Sequence, residues 1–201
     1  MKPKFISLMV LLVLLASVAG VATSLHVRRS SYPTFTLHSQ LSEFDANGNK
    51  FTSEMIRYVS SNGNFRFVHI RDGKKRENFF ERGRGSFSVN FKDKKLTRDS
   101  RSTTSDRMPP VFTKEELLNS PNYNRTETLL GLTVYVDRVV DASSGQVFEY
   151  YHAPELGMHS LKTVNYDAHG KTIFIKEPIS LRFGEPDPSL VKAPDYPLEN
   201  L

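Results

Sequence analysis

The sequence predicts a mainly β protein, a strongly curved antiparallel sheet or unclosed barrel of about 8–10 strands with one short helix packed on it. Three observations carry that expectation. Short runs of alternating apolar and polar residues recur from residue 34 to residue 183. Turn signals separate them: Asp45-Ala-Asn-Gly-Asn49, Asn62-Gly63, Asp72-Gly73, Asp141-Ala-Ser-Ser-Gly145 and Asp167-Ala-His-Gly170. One good helix start stands beyond the N-terminal segment. Phenylalanine and tyrosine, 14 and 8 of the 201 residues, supply the large faces that sheets favour.

Taken in order, Thr34–Leu41 is the first strand, with Phe35, Leu37 and Leu41 on one parity, and residues 50–60 form the second. Asn62-Gly63 is the sharpest hairpin mark, because both central residues of a type I′ turn need positive φ. Phe65, Phe67 and His69 alternate with Arg66, Val68 and Ile70, so a meander of at least three strands is expected. Two shorter strands follow, at Asn78–Phe80 and Phe87–Phe91, on either side of Arg82-Gly-Arg-Gly85. Lys92-Asp-Lys-Lys95 is a charged turn, and Leu96–Pro110, with little apolar content, reads as a long loop.

Thr113 and Glu116 match a capping box, in which each side chain satisfies the other residue's backbone amide, and Pro121 ends that helix early. The run Leu129–Val140 is the longest patterned apolar segment beyond the N-terminus and is expected to be the middle strand of the sheet. Its even positions Leu130, Leu132, Val134 and Val136 would share one apolar face. Gln146–His152 returns, Ser160–Tyr166 follows, and a last long strand over 171–183 is bent or brought to an edge at Pro178. Residues 184–201 form an extended proline-rich tail, so the domain itself spans 32–183.

Met1–Ala22 has the layout of a signal peptide, with Lys2 and Lys4 ahead of an uncharged apolar run and small residues at candidate cleavage sites. Uncut, residues 5–22 would reach the lower limit for a membrane anchor, and 23–31 is a linker. In either case the domain is exported, to a periplasmic or extracellular location, which disfavours nucleotide-cofactor chemistry. No cofactor is expected. The absence of cysteine excludes disulfides, thiolate metal sites, a cysteine nucleophile and lipid attachment through an N-terminal cysteine.

No stretch carries a strong chemical signature. His152, Glu155 and His159 are metal-ligand types within eight residues, but Pro154 and Gly157 forbid the helix that a His-Glu-x-x-His site needs. No Gly-x-Ser-x-Gly elbow marks a nucleophile, and Glu185 and Asp187 belong to a proline-flanked tail, so no catalytic or metal residue is nominated. The net charge of +5 is local: residues 71–107 hold twelve Lys or Arg against six Asp or Glu. Arg82, Arg84, Lys94 and Lys95 are therefore candidates for a surface that meets an anionic envelope component, beside the plainer reading of a solvated strand face. Nucleic acid is not expected as a partner of an exported chain. Asn124-Arg-Thr126 is a glycosylation sequon, which matters only in a host that glycosylates secreted proteins.

A secretion segment, a run of long antiparallel strands, one short helix and no catalytic signature together resemble the bacterial periplasmic lipoprotein-carrier (Lol-type) superfamily, over about residues 32–183. That resemblance implies a curved, unclosed sheet whose helix-covered face encloses an apolar cavity for acyl chains. It carries over no binding residue by position. From the strand pattern itself, Leu130, Leu132, Val134 and Val136 are the candidate lining for a lipid-like or other apolar ligand. The reading that follows is a non-catalytic exported binding protein, against a structural or adaptor envelope protein acting through sheet edges and the basic surface.

Overall fold

The computed structural model describes residues 32–98, 112–157 and 159–199. The signal segment and linker lie outside the described residues, as does most of the expected loop before Pro110. Among the described residues twelve strands form one open sheet: β1 (Phe35–Phe44), β2 (Lys50–Val59), β3 (Phe65–Arg71), β4 (Lys74–Glu81), β5 (Gly85–Asn90), β6 (Lys95–Arg98), β7 (Tyr123–Leu129), β8 (Leu132–Val140), β9 (Val147–His152), β10 (Ser160–Tyr166), β11 (Thr172–Phe183) and β12 (Leu198–Glu199). Their order is β12-β6-β5-β4-β3-β2-β1-β11-β10-β9-β8-β7. Two meanders, β1–β6 and β7–β11, are thus joined where the first long strand pairs with the last. The tail then returns to add β12, parallel to β6, at the far edge.

The expected mainly β, unclosed architecture is present, and the capping box forms as the sequence indicates. The Thr113 amide donates to Glu116 Oε2 at 2.7 Å and the Glu116 amide to Thr113 Oγ1 at 3.1 Å, starting α1 (Lys114–Leu118). Leu117 is buried, and α1 lies against β8. A second short helix, α2 (Pro188–Val191), opens on Asp187, whose side chain accepts from the Ser189 amide.

Four local expectations change. The type I′ geometry sits at Asp72-Gly73, where φ is 50° and 68°, whereas at Asn62-Gly63 only the glycine is left-handed. There the loop is longer, closed by Ser60 N–H to Asn64 O, because the Asn62 side chain accepts from the Asn64 amide. Leu96 heads no loop: it is fully buried in β6 beneath Ala193 and Tyr196 of the tail. Pro178 stands inside the sheet, opposite Ser39, at a bulge between His38 and Ser39 that takes up the missing ladder bond.

The largest change concerns Leu129–Val140, which holds the last residue of β7, a turn and β8. Leu130 and Gly131 take φ of 50° and 79° and form the hairpin turn between β7 and β8. β7, reading Tyr-Asn-Arg-Thr-Glu-Thr-Leu, was invisible to periodicity because it is a polar edge strand. β8 is therefore second from an edge, and the middle of the sheet is the β1–β11 pair.

The main core gathers Phe35, Leu37 and Val59 with Val134, Val136, Leu156, Leu161 and Val164. Gly63 pins one end of it, with φ of +86° and the Tyr32 ring packed where a Cβ would point. Gly63→Ala should cost about 2 kcal/mol, from the left-handed backbone and the clash together. Urea unfolding checks this, and a loss below about 0.5 kcal/mol would contradict the packing.

Candidate functional site

Strand alternation sorts side chains onto two faces. On one, β2 presents Ser53, Met55, Arg57 and Val59, opposite Leu41, Ser39, Leu37 and Phe35 of β1. Phe67 and His69 of β3 continue that face on one side, and Lys176 of β11, opposite Leu41 and then Thr163, continues it on the other. Tyr150 and Asp137 extend the row across β9 and β8. In a flat sheet, β3 and β10 would stand about 19 Å apart, at 4.8 Å per strand. Yet His159, in the loop between β9 and β10, has its ring 5.8 Å from Phe65 and 5.6 Å from Phe35. The loop, with its 3-10 turn Pro154–Leu156, thus lies over the β1–β3 end of this face. Leu156 is fully buried beneath it.

Under that cover the face is polar and cationic. Lys176 is buried and donates to the carbonyl and hydroxyl oxygens of Ser160, both at 2.7 Å. Arg57 is buried and touches the Phe67 ring, 4.7 Å from its centroid, and no acceptor meets its Nε. Ser39 Oγ, Asp137 Oδ1, His152 Nδ1 and Asn165 Oδ1 are also buried without partners. Buried polar atoms are normally satisfied, and five of the eight orphans among the described residues fall on this face, the other three being Arg66 Nε, Glu77 Oε2 and Arg98 Nε on the opposite one.

The electrostatics agree. Burial pulls Lys176 well below its ordinary value, and the Arg57 charge lowers it further. Burial brings Arg57 down to about 10. His159 falls to about 3, first through burial and then through the charges of Arg57 and Lys176. His152 is also lowered by burial, with Asp137 opposing.

The opposite face carries a satisfied counterpart. Glu149, buried on β9, accepts from Arg125 at 3.0 and 3.1 Å, from Arg138 at 2.8 Å and from Tyr151 at 3.2 Å. Those bonds, Arg125 first, hold its carboxyl below the usual range, while burial pushes Tyr151 up to about 12. Further along, a groove of about 470 Å³ is lined by Arg66, Lys75, Glu77, Phe79, Phe91 and Lys192. Glu77 already pairs there with both Arg66 and Lys75.

The residues singled out from sequence are placed differently. Leu130 is exposed in the turn, Leu132 is half-buried against the core, and Val134 and Val136 are fully buried within it. Arg82 and Arg84 sit at one end of the β5 hairpins and Lys94 and Lys95 at the other, roughly 20 Å apart over six residues at about 3.3 Å each. Arg84 pairs with Glu81 and Lys95 with Glu199. The structure does not gather them into one patch. Glu185 accepts from the Ser61 amide at 3.0 Å and Asp187 caps α2, so both tail carboxylates are engaged locally. No group of three His, Cys, Asp or Glu among the described residues is placed to hold a metal. The missed signal was a cation on a buried parity: Arg57 between Met55 and Val59, and Lys176 between Phe174 and Pro178.

No protein-family model and no curated protein sequence matches this chain. Solved structures do. An uncharacterized conserved protein from Thermus thermophilus superposes with a TM-score of 0.55 over 86% of this chain and 92% of that one, at 10% identity. A chain of the Pseudomonas aeruginosa MucA/MucB complex matches with a TM-score of 0.50 over 80% of this chain at 18% identity, and this chain spans 56% of its length. A LolA superfamily protein from Nitrosomonas europaea matches with a TM-score of 0.39 over 83% of this chain and 93% of that one, at 10% identity. The likeness is one of fold. Lol-type proteins are among the structures this sheet resembles, as its strand layout suggested.

Proposed function

We propose that this protein is an exported, non-catalytic binding protein of the cell envelope that holds an amphipathic, lipid-like ligand on its open sheet. The supporting observation is the covered face itself. One side of an unclosed sheet carries a loop and, beneath it, apolar walls beside polar atoms that nothing satisfies, which suits a ligand with both characters. The apolar part of the ligand would run along Phe35, Leu37 and Val59, which share the covered face, whereas Val134 and Val136, alternating with Asp137, turn to the other face of β8. Periplasmic or extracellular residence follows from the N-terminal segment. No helix among the described residues is long and apolar enough to cross a membrane.

Native mass spectrometry of protein purified from its own host should show a bound lipid-like mass, and fluorescent lipid should bind saturably. Failure of both would reject the reading.

A second reading, an envelope adaptor, draws on β7. Among the described residues it pairs only with β8, so its outer edge could accept a partner strand. The basic residues Arg82, Arg84, Lys94 and Lys95, as contacts for an anionic envelope component, would belong to that reading. Neutralising those four should then abolish capture of a defined partner in cell cross-linking, and unchanged capture would reject it.

A further inference from the structure

The feature that the sheet's architecture least explains is two buried cations on one face without a counter-charge. Neither Arg57 nor Lys176 makes an ion pair among the described residues, and no carboxylate acts on either of them. Burying one uncompensated ion costs several kcal/mol, and placing a second beside it adds repulsion. Proteins keep such pairs when something else completes them. Lys176 can shed its proton, but a guanidinium at neutral pH cannot.

The strand register sets the three groups around one stretch of β1, with Arg57 opposite Leu37 on one side and Lys176 opposite Leu41 on the other. In the register, Ser39 lies between Met55 of β2 and Pro178 of β11, each two residues from Arg57 and Lys176 on the same face. Ser39 Oγ is fully buried and unpartnered, and so is Arg57 Nε. An ammonium, a guanidinium and a hydroxyl thus border a spot over β1. The neighbouring ionisable side chains on this face are His69, which bonds Ser53 Oγ at 2.9 Å, His152, His159, Asp137 and Glu43, whose carboxylate is paired with Arg71 at 3.2 Å. The two histidines whose values are shifted, His152 and His159, are both held toward neutrality. Asp137 stands beyond Tyr150 and Thr163, three strands from β11, where its charge acts on His152.

We infer that Arg57, Lys176 and Ser39 form a binding site for one anionic group, a carboxylate or phosphate, carried as the head of the ligand that the sheet holds. This rests on the lipid-binding reading for what the head is attached to. The site itself rests on Arg57 Nε and Ser39 Oγ, which have no partner, and on the Lys176 ammonium, whose bonds to Ser160 bring it no counter-charge. The anion supplies the missing charge and accepts from all three groups, and the apolar remainder of the ligand is left to the core.

The test uses the full chain and three probes: cis-parinaric acid, its methyl ester and inorganic phosphate. The acid should bind at least about ten-fold more tightly than the ester, the size of a charge-assisted hydrogen bond or two. Arg57→Met and Lys176→Met should each abolish the preference for acid over ester. Each variant should also melt at or above the parent's Tm, since it removes an uncompensated buried cation. A structural role for either cation would instead lower Tm.

Equal binding of acid and ester to the parent overturns the anion site and leaves the lipid reading standing. Phosphate binding that both variants lose, with no binding of acid or ester, sustains the anion site and overturns the lipid reading. Binding of none of the three probes overturns both. The comparison of acid with ester in the parent decides the matter even if a variant does not fold.

Discussion

Glu149→Ala should destabilise the protein by about 2–4 kcal/mol, read from urea unfolding at neutral pH. Removing one member of a buried ion network typically costs about 3–5 kcal/mol because the partner charges are left behind. Here the cost is discounted, since Arg125 and Arg138 keep 37% and 45% of their side chains exposed and can be rehydrated. Tyr151 is 4% exposed and its hydroxyl loses its acceptor, keeping only the bond it accepts from Arg125. Glu149→Gln, which keeps the shape and one acceptor, should cost about half as much. A loss under about 1 kcal/mol for the alanine variant would show that the network adds little beyond surface ion pairs. The same carboxylate makes stability fall in acid. Its value is depressed in the folded protein, so its contribution is present above the ordinary carboxylate range and is lost as pH drops below the unfolded value of 4.5.

His159→Phe is expected to remove a different acid sensitivity, at higher pH. The imidazole falls from 6.5 to about 3 on folding, because it is buried between Phe35 and Phe65 near the charges of Arg57 and Lys176. A depressed histidine must stay neutral in the fold, so stability is complete above 6.5 and declines as pH falls toward 3. The loss is about 1.4 kcal/mol for each pH unit below that point, or about 3 kcal/mol near pH 4.5. Phenylalanine keeps the edge-to-face ring contacts and does not titrate. The variant should therefore lose less stability between pH 7 and 4.5 than the parent, although His152, lowered in the same direction, keeps the curve from becoming flat. Equal slopes for parent and variant would show that His159 is hydrated in solution and that the loop does not seal this face. Between 6.5 and 4.5 the decline comes from the histidines without Glu149, and below 4.5 both His159 and Glu149 contribute.

The loop therefore links stability to access. Protonating His159 places a third positive charge beside Arg57 and Lys176, and the contact that holds the loop over Phe35 and Phe65 is the one weakened. An anion bound between the two cations would act in the opposite sense.

Much of the local structure was legible in the sequence. Thr113 and Glu116 close the predicted capping box, Asp72-Gly73 turns, and residues 160–166 and 147–152 are strands within a residue of their expected limits. Such features depend on backbone geometry over two to six residues, which side-chain type controls directly. β7 and the Leu130-Gly131 turn were missed because a polar edge strand has no buried face to write a period, and a leucine at φ of 50° is not a turn residue by type. The candidate site was less legible still. Arg57 and Lys176 are 119 positions apart, and charge at a single strand position normally means solvent.

By itself, then, the sequence determined that the chain is a run of antiparallel strands with one capped helix, and which residues within each strand share a face. The tertiary structure alone decided the order of the strands, the pairing of β1 with β11, and which face is covered. A period of two states that alternate residues point the same way but not which way is in. That choice depends on contacts between distant segments, where burial of one face outweighs the hydration of single charges such as Arg57 and Lys176.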